Sequence, residues 1–229
     1  DEYLDFIFES LPQLGVVFFD SALARIDWIL MGILSTTVMT AEYSFAYRMY
    51  ESSKLPLLII TPILLTRFTK LFLQPDLIDQ KNKDEIRNFF KFELFIVMQI
   101  PIALCCCWTP LIDWFTSNKY GSSTESTFLI LSACVPLHAI MNYLWSMGFA
   151  QGQLKQIFII TVAIAFINFI LNLIFIPIYG SNGAAFAFLI STIAQCAFYI
   201  LMMKQNHFKL PMVSCILAFT NAATVIIVC

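Results

Sequence analysis

The sequence predicts an all-α polytopic membrane protein, built as a helical bundle, and three observations carry that prediction. Apolar residues make up 59% of the chain and charged residues only 12%, whereas a soluble domain carries about 25% charged residues. Mean hydropathy is +0.80. Seven stretches, 11–36, 41–71, 88–116, 126–150, 154–178, 182–203 and 210–229, meet the requirement of about 20 mostly apolar residues for a helix that crosses a bilayer. None of them shows the period-two alternation over ~10 residues that marks a membrane β-barrel strand.

The breaks between these spans are polar. STTVMTAE (35–42) closes the first span as a short turn, and QPDLIDQKNKDEIRN (74–88) is the one strongly charged stretch. TSNKYGSSTEST (116–127) reads as a Gly/Ser/Thr loop, while AQGQLKQ (150–156), YGSNG (179–183) and KQNHFK (204–209) are short connections. Within KNKDEIRNFFKFE (81–93) charges alternate with aromatics. That pattern fits a helix lying along the interface and equally a plain helical extension. Pro56 and Pro62 fall in the second span, Pro101 and Pro110 in the third and Pro136 in the fourth. Each lacks a backbone donor and permits a kink, which a bundle tolerates where neighbours satisfy the freed carbonyls.

Orientation follows from the basic residues, which concentrate on the cytoplasmic side. Numbering the connections alternately, one side holds Arg67, Lys70, Lys81, Lys83, Arg87, Lys91, Lys155, Lys204 and Lys209, and the other holds Lys119 alone. The 74–88 connection is therefore expected in the cytoplasm and 116–127 outside. The first ten residues, DEYLDFIFES, are acidic, so no cleavable signal peptide is expected. The chain lacks an initiator Met and stops in the apolar run CILAFTNAATVIIVC. It is expected to be a fragment of a longer, transporter-sized protein.

Chemistry of other classes finds little footing. A net charge of −2 gives no reason to expect a nucleic-acid partner. Cys105, Cys106 and Cys107 are consecutive, and Cys134, Cys196, Cys215 and Cys229 stand alone in apolar runs. They read as small packing residues rather than disulfide or metal ligands. His138 reads as a helix-packing hydrogen bonder and Asp76 and Asp79 as solvated acids. No nucleophile elbow, metal-ligand spacing or phosphate loop is present, so neither an enzyme, a cofactor nor a metal is expected.

The residues that demand a function are the charges inside the spans. Such groups cost about 2.5–3.5 kcal/mol on insertion scales and usually face the protein interior or a wet cavity. Asp20, Arg25 and Asp27 lie on the first span, and Glu42, Arg48, Glu51 and Lys54 on the second. Asn168 and Asn172 sit one turn apart on the fifth, where they would line a polar path or, the stronger reading, hydrogen-bond between helices. An outer turn centred near 38–39 would set Arg25 beside Glu51 and Asp27 beside Arg48. These pairs are expected to form a partly hydrated cluster facing a central cavity.

Two stretches carry a family resemblance. RIDWILMGILSTTVMTAEYSFAYRMYE (25–51) and LNLIFIPIYGSNGAAFAFLIST (171–192) resemble the carboxy-terminal half of Wzx-type polysaccharide flippases. These belong to the multidrug/oligosaccharidyl-lipid/polysaccharide exporter superfamily. The first is similar to the family's R-I-D helix followed by E-Y/A-Y-R, and the second to its I-P-x-Y-G-x-x-G-A-A corner. The resemblance implies one lobe of a two-lobed flippase in the bacterial inner membrane, moving lipid-linked O-antigen or capsule repeat units by alternating access. It implies no ATP site, a missing amino-terminal lobe as partner, and membrane lipids around both. Arg25, Arg48 and Lys54 would meet the substrate diphosphate, with Asp27, Glu51, Asn168 and Asn172 completing the substrate-binding set. The alternative is a cation-coupled multidrug exporter of the same fold, relying on Asp27, Glu42 and Glu51 for H⁺ or Na⁺. A membrane polysaccharide-synthesis enzyme ranks third, since no large outer loop is present.

The orientation is directly testable. In a variant of the full-length protein lacking its native cysteines, Ser122→Cys is expected to react with an impermeant thiol reagent in intact cells. Labelling only after permeabilisation would reverse the topology.

Overall fold

The computed structural model describes residues 2–74 and 79–202. The expected span 210–229, together with Asp76, Lys204, His207, Lys209, Cys215, Cys229 and the side chain of Asp20, lies outside the described residues. All regular structure among the described residues is helical: α1 Glu2–Leu34, α2 Thr37–Ser53, α3 Leu55–Leu73, α4 Gln80–Cys106, α5 Trp108–Thr116, α6 Gly121–Ser132, α7 Cys134–Ala150 and α8 Leu154–Met202. Among the described residues four helical stretches are long and apolar enough to cross a membrane: Leu55–Leu73, Gln80–Cys106, Gly121–Ala150 and Leu154–Met202. The protein is a multi-pass membrane protein.

The second, third and fourth expected spans each consist of two helices. Their breaks fall at Lys54, Cys107 and Ala133, each two or three residues before a proline: Pro56, Pro110 or Pro136. A proline is tolerated in the first turn of a helix, where its missing N–H has no intrahelical partner to lose. The chain therefore restarts a helix just ahead of it. Pro62 and Pro101 behave differently and remain inside α3 and α4. The charged-aromatic stretch 81–93 belongs to the continuous α4, about 40 Å long at the helical rise, and forms no separate interfacial element.

Helix α8 spans two passes in one element, because its backbone leaves helical geometry only at Gly180, with φ 57° and ψ −128°. That conformation is open essentially to glycine alone. The chain reverses there so sharply that a Cβ at Gly183 would collide with the carbonyl of Phe175. The small residues of GSNGAA thus let two helical arms pack in direct contact. A Cβ at Gly180 would also lie 2.7 Å from the Met39 sulfur, so the corner is seated on the start of α2.

One end of the bundle gathers three connections. Ser126 and Thr127 both donate to the Asn182 carbonyl, at 3.0 and 2.8 Å, joining α6 to the Gly180 corner. Phe45 stacks on Tyr120 with centroids 5.0 Å apart, which brings the Thr36 turn to the same end. The region expected as a loop over 116–127 is shorter than its composition suggests. Ser117 and Asn118 take left-handed conformations, and α6 begins at Gly121, whose N–H donates to the Asp113 carboxylate at 2.8 Å. Trp108 stacks on Phe128 at 3.8 Å and donates to the Gly121 carbonyl, fixing α5 against α6.

The most buried element is α7, enclosed by α3, α4 and α8. Exposed Leu58, Ile59, Leu73, Phe95, Ile159 and Phe166 lie on the outer helices, the placement expected when the solvent is lipid. Gly183→Ala is expected to lower stability by on the order of 1–3 kcal/mol through overpacking, read as thermal unfolding in detergent. Gly32→Ala, where nothing lies within 4 Å of an added Cβ, is expected to leave the transition unchanged.

Candidate functional site

The turn between α1 and α2 sets the site. Thr36 is the N-cap of α2, its hydroxyl accepting from the Met39 N–H at 3.3 Å. The turn is therefore Ser35–Thr36, about three residues earlier than the centre expected from STTVMTAE. In an antiparallel pair a displacement of the turn moves every cross-helix partner by twice that amount. Asp27 consequently meets Tyr43 instead of Arg48.

The consequence is a correction to the expected ion pairs. Asp27 is fully buried, and its carboxylate accepts from the Tyr43 hydroxyl at 3.0 Å and from Asn172 Nδ2 at 2.6 Å. Neither Asp27–Arg48 nor Arg25–Glu51 forms an ion pair; among the described residues the one such pair is Arg87–Asp84, at 2.8 Å. Asn172 also donates to the side-chain oxygen of Asn168, at 2.9 Å. Both asparagines are fully buried. The fifth-span asparagines thus join helix to helix around a carboxylate, and they do not line an open path.

The two arginines find a different partner. The Arg25 guanidinium lies 5.4 Å and the Arg48 guanidinium 5.3 Å from the centroid of the same Trp28 ring. Both side chains are exposed. Trp28 in turn packs edge-on against Tyr47, with centroids 5.8 Å apart, and Tyr47 contacts Tyr43, Tyr50 and Phe188. An aromatic series thereby runs along α2 from the buried Asp27 to an open cavity.

That cavity has a volume of about 920 Å³ and lies between α2, α3, α7 and α8. Of the expected site residues it is lined by Arg48, Glu51 and Lys54, to which the fold adds His138, Asn142 and Gln195. Lys54 stands at the α2–α3 break with its ammonium 4.3 Å from the Tyr50 ring centroid. His138 fulfils its expected packing role. With the proton on Nδ1 it donates to the Cys134 carbonyl at 2.9 Å and leaves Nε2 to accept from Tyr50 at 3.4 Å. Asp79, read as a solvated acid, caps α4 by accepting from the Asn82 N–H at 2.8 Å.

One polar group was missed. Glu93 on α4 is fully buried and accepts from Asn142 Nδ2 at 2.7 Å. The signal was present in FKFELFIV (90–97), a lone carboxylate in an apolar run, masked by the charges just before it. Groups of three or more His, Cys, Asp or Glu able to hold a metal are absent among the described residues.

No protein-family model matches the chain, and no curated protein sequence matches it either. Its fold is similar to the solved structure of the lipid II flippase MurJ in an inward closed conformation, with a TM-score of 0.66 at 19% identity. The match covers 96% of this chain and 48% of that one. The chain therefore spans about half the length of the flippase it matches, and its helical bundle has the fold of a flippase half.

Removing a donor from the buried carboxylate is the sharpest test of the Asp27 arrangement. Asn172→Ala and Tyr43→Phe are each expected to lower stability by about 1–3 kcal/mol, the penalty for leaving a buried acceptor short of a partner. Thermal unfolding in detergent measures it.

Proposed function

We propose that the chain is the carboxy-terminal lobe of a transporter that flips undecaprenyl-diphosphate-linked oligosaccharide repeat units across the bacterial plasma membrane by alternating access. The observation that carries this reading is the pair of exposed guanidinium groups held on one indole, Arg25 and Arg48 on Trp28, with no carboxylate among the described residues in ion-pair contact. An exposed cation–π contact is worth about 0.5–1 kcal/mol. A charge-assisted hydrogen bond to an anion contributes about 1.5–3 kcal/mol, and a guanidinium can offer two of them to a phosphate. Trp28 therefore positions the arginines without holding them against a diphosphate.

In this reading the cavity supplies the rest of the recognition. Arg48 and Lys54 line one wall, and Asn142 and Gln195 offer hydrogen bonds to sugar hydroxyls across the other. Glu51 orients the cationic wall. The second lobe of the same protein closes this face and alternates it between the two leaflets. Asp27, Asn168 and Asn172 fix α1 against α8, so that Arg25 and Arg48 stay level with Trp28. A cation-coupled multidrug exporter is the second reading. It draws support from the Asp27 carboxylate, whose hydrogen bonds come from neutral donors and which could therefore take up H⁺ or Na⁺.

The two readings separate in cells carrying the full-length protein. Arg25→Ala and Arg48→Ala are each expected to reduce surface polysaccharide at least tenfold at normal protein levels. Arg25→Lys is expected to retain part of it, because a phosphate accepts a point charge. Full export by both alanine variants would remove the arginines from cargo binding, and efflux of cationic dyes by the wild type in place of polysaccharide export would replace the flippase with the exporter.

A further inference from the structure

The buried carboxylate that the cavity chemistry leaves unused is Glu93. It lies on α4 with no exposed surface, and its surroundings are specific. Oε1 accepts from Asn142 Nδ2 at 2.7 Å. The Asn142 carbonyl oxygen accepts from the Thr61 hydroxyl at 2.7 Å. Oε2 has no hydrogen-bond partner among the described residues. Three helices, α3, α4 and α7, are thus tied by one chain of side chains. Its middle member, Asn142, is also part of the cavity wall.

We infer that Glu93 is a proton-binding site, gated by Asn142, whose loading is linked to occupancy of the cavity. The charge balance points to a proton. A carboxylate buried without a counter-charge is costly and is relieved by neutralisation or pairing. Among the described residues no Lys, Arg or His forms an ion pair with it. On α7, His138 is engaged by Cys134 and Tyr50, and Tyr143 packs on Phe90 and Phe68. On α3, Arg67 lies over Phe89, and Lys70 sits in the last turn. On α2, Arg48 lies over Trp28 and Glu51 faces the cavity with Lys54. Glu125 on α6 accepts from Thr109. The other charged groups of α4 itself, Lys81, Lys83, Asp84, Glu85, Arg87 and Lys91, all precede Glu93 and none of them is buried. A metal ion would need several ligands, and no group of three or more His, Cys, Asp or Glu that could hold one occurs among the described residues.

Asn142 makes the link to the cavity. An amide does not relay protons, so the proton from cavity water reaches Oε2 only when Asn142 swings toward the cavity. A ligand hydroxyl that takes the Asn142 amide draws away the one donor Glu93 has, and the carboxylate then takes the proton. By linkage, proton uptake favours the same displacement and so favours the ligand. The proton returns to water when the cavity empties. The linked half of this inference rests on the proposed substrate site; the proton site itself does not.

The test uses the full-length protein in lipid nanodiscs, titrated across the neutral range by infrared difference spectroscopy without substrate. A protonated-carboxyl band is expected to titrate in the wild type, to be lost in Glu93→Gln and to have a displaced midpoint in Asn142→Ala. In wild-type protein, dicyclohexylcarbodiimide is expected to modify Glu93 in a pH-dependent way, as read by peptide mass spectrometry. This second measurement stands even if a variant fails to fold. An unchanged band in Glu93→Gln, or Glu93 modification insensitive to pH, would overturn the proton site. Displacement of the band by Na⁺ at fixed pH would assign the site to a metal ion instead and equally overturn it. If the band titrates while the wild type moves cationic dyes and no polysaccharide, the proton site stands and the cargo reading fails.

Discussion

The buried carboxylate of Asp27 is the constraint on which this half of the molecule depends. A carboxylate buried between packed helices demands donors, and the two it has come from different elements, Tyr43 on α2 and Asn172 on α8. Three helices are fixed in rotation by one acidic group. Because the register is fixed there, Trp28 emerges one residue later with Tyr47 against it. Arg25 and Arg48 then arrive at the same ring from opposite helices. The position of both cations follows from the hydrogen bonds of a group that never reaches the surface.

Tyr43, Tyr47 and Tyr50 recur on α2 at spacings of four and three residues, so they share one helical face. That face runs from the Asp27 site to the wall of the cavity, where Tyr50 meets His138 and Phe188. The rings are tilted against one another along α2 and edge-to-face against Trp28 and Phe188, and this packing makes a stiff connection between the two. The buried polar site and the open cavity are in this way parts of one assembly, although they share no side chain.

The helix breaks shape the cavity itself. α2 ends at Ser53 and α3 starts at Leu55, so Lys54 sits at a bend that presents its ammonium to the Tyr50 ring. α7 begins at Cys134 beside the Ala133 break, placing His138 and Asn142 on successive turns toward the same space. Interrupted helices at membrane depth are tolerated where the irregular backbone is buried in protein or lines a cavity. Two of the breaks here border the helices that line one.

The sequence by itself determined the helical class, the membrane as solvent, the polar ends of most spans and the tight corner at Gly180. These follow from composition, from apolar run length and from glycine's access to backbone conformations closed to other residues. It also marked the charges of 20–54, which stand out inside apolar spans without coordinates. Only the tertiary structure decided which of them meet. A three-residue difference in the turn, set by the Thr36 cap, exchanged the expected ion pairs for Asp27 with Tyr43 and for two arginines on Trp28. Glu93 and Asn142, 49 positions apart in the chain, carry no local pattern that would pair them. Local chemistry fixes where a helix begins and ends, while the partner of a buried group depends on helix rotation and register, which are properties of the packed bundle.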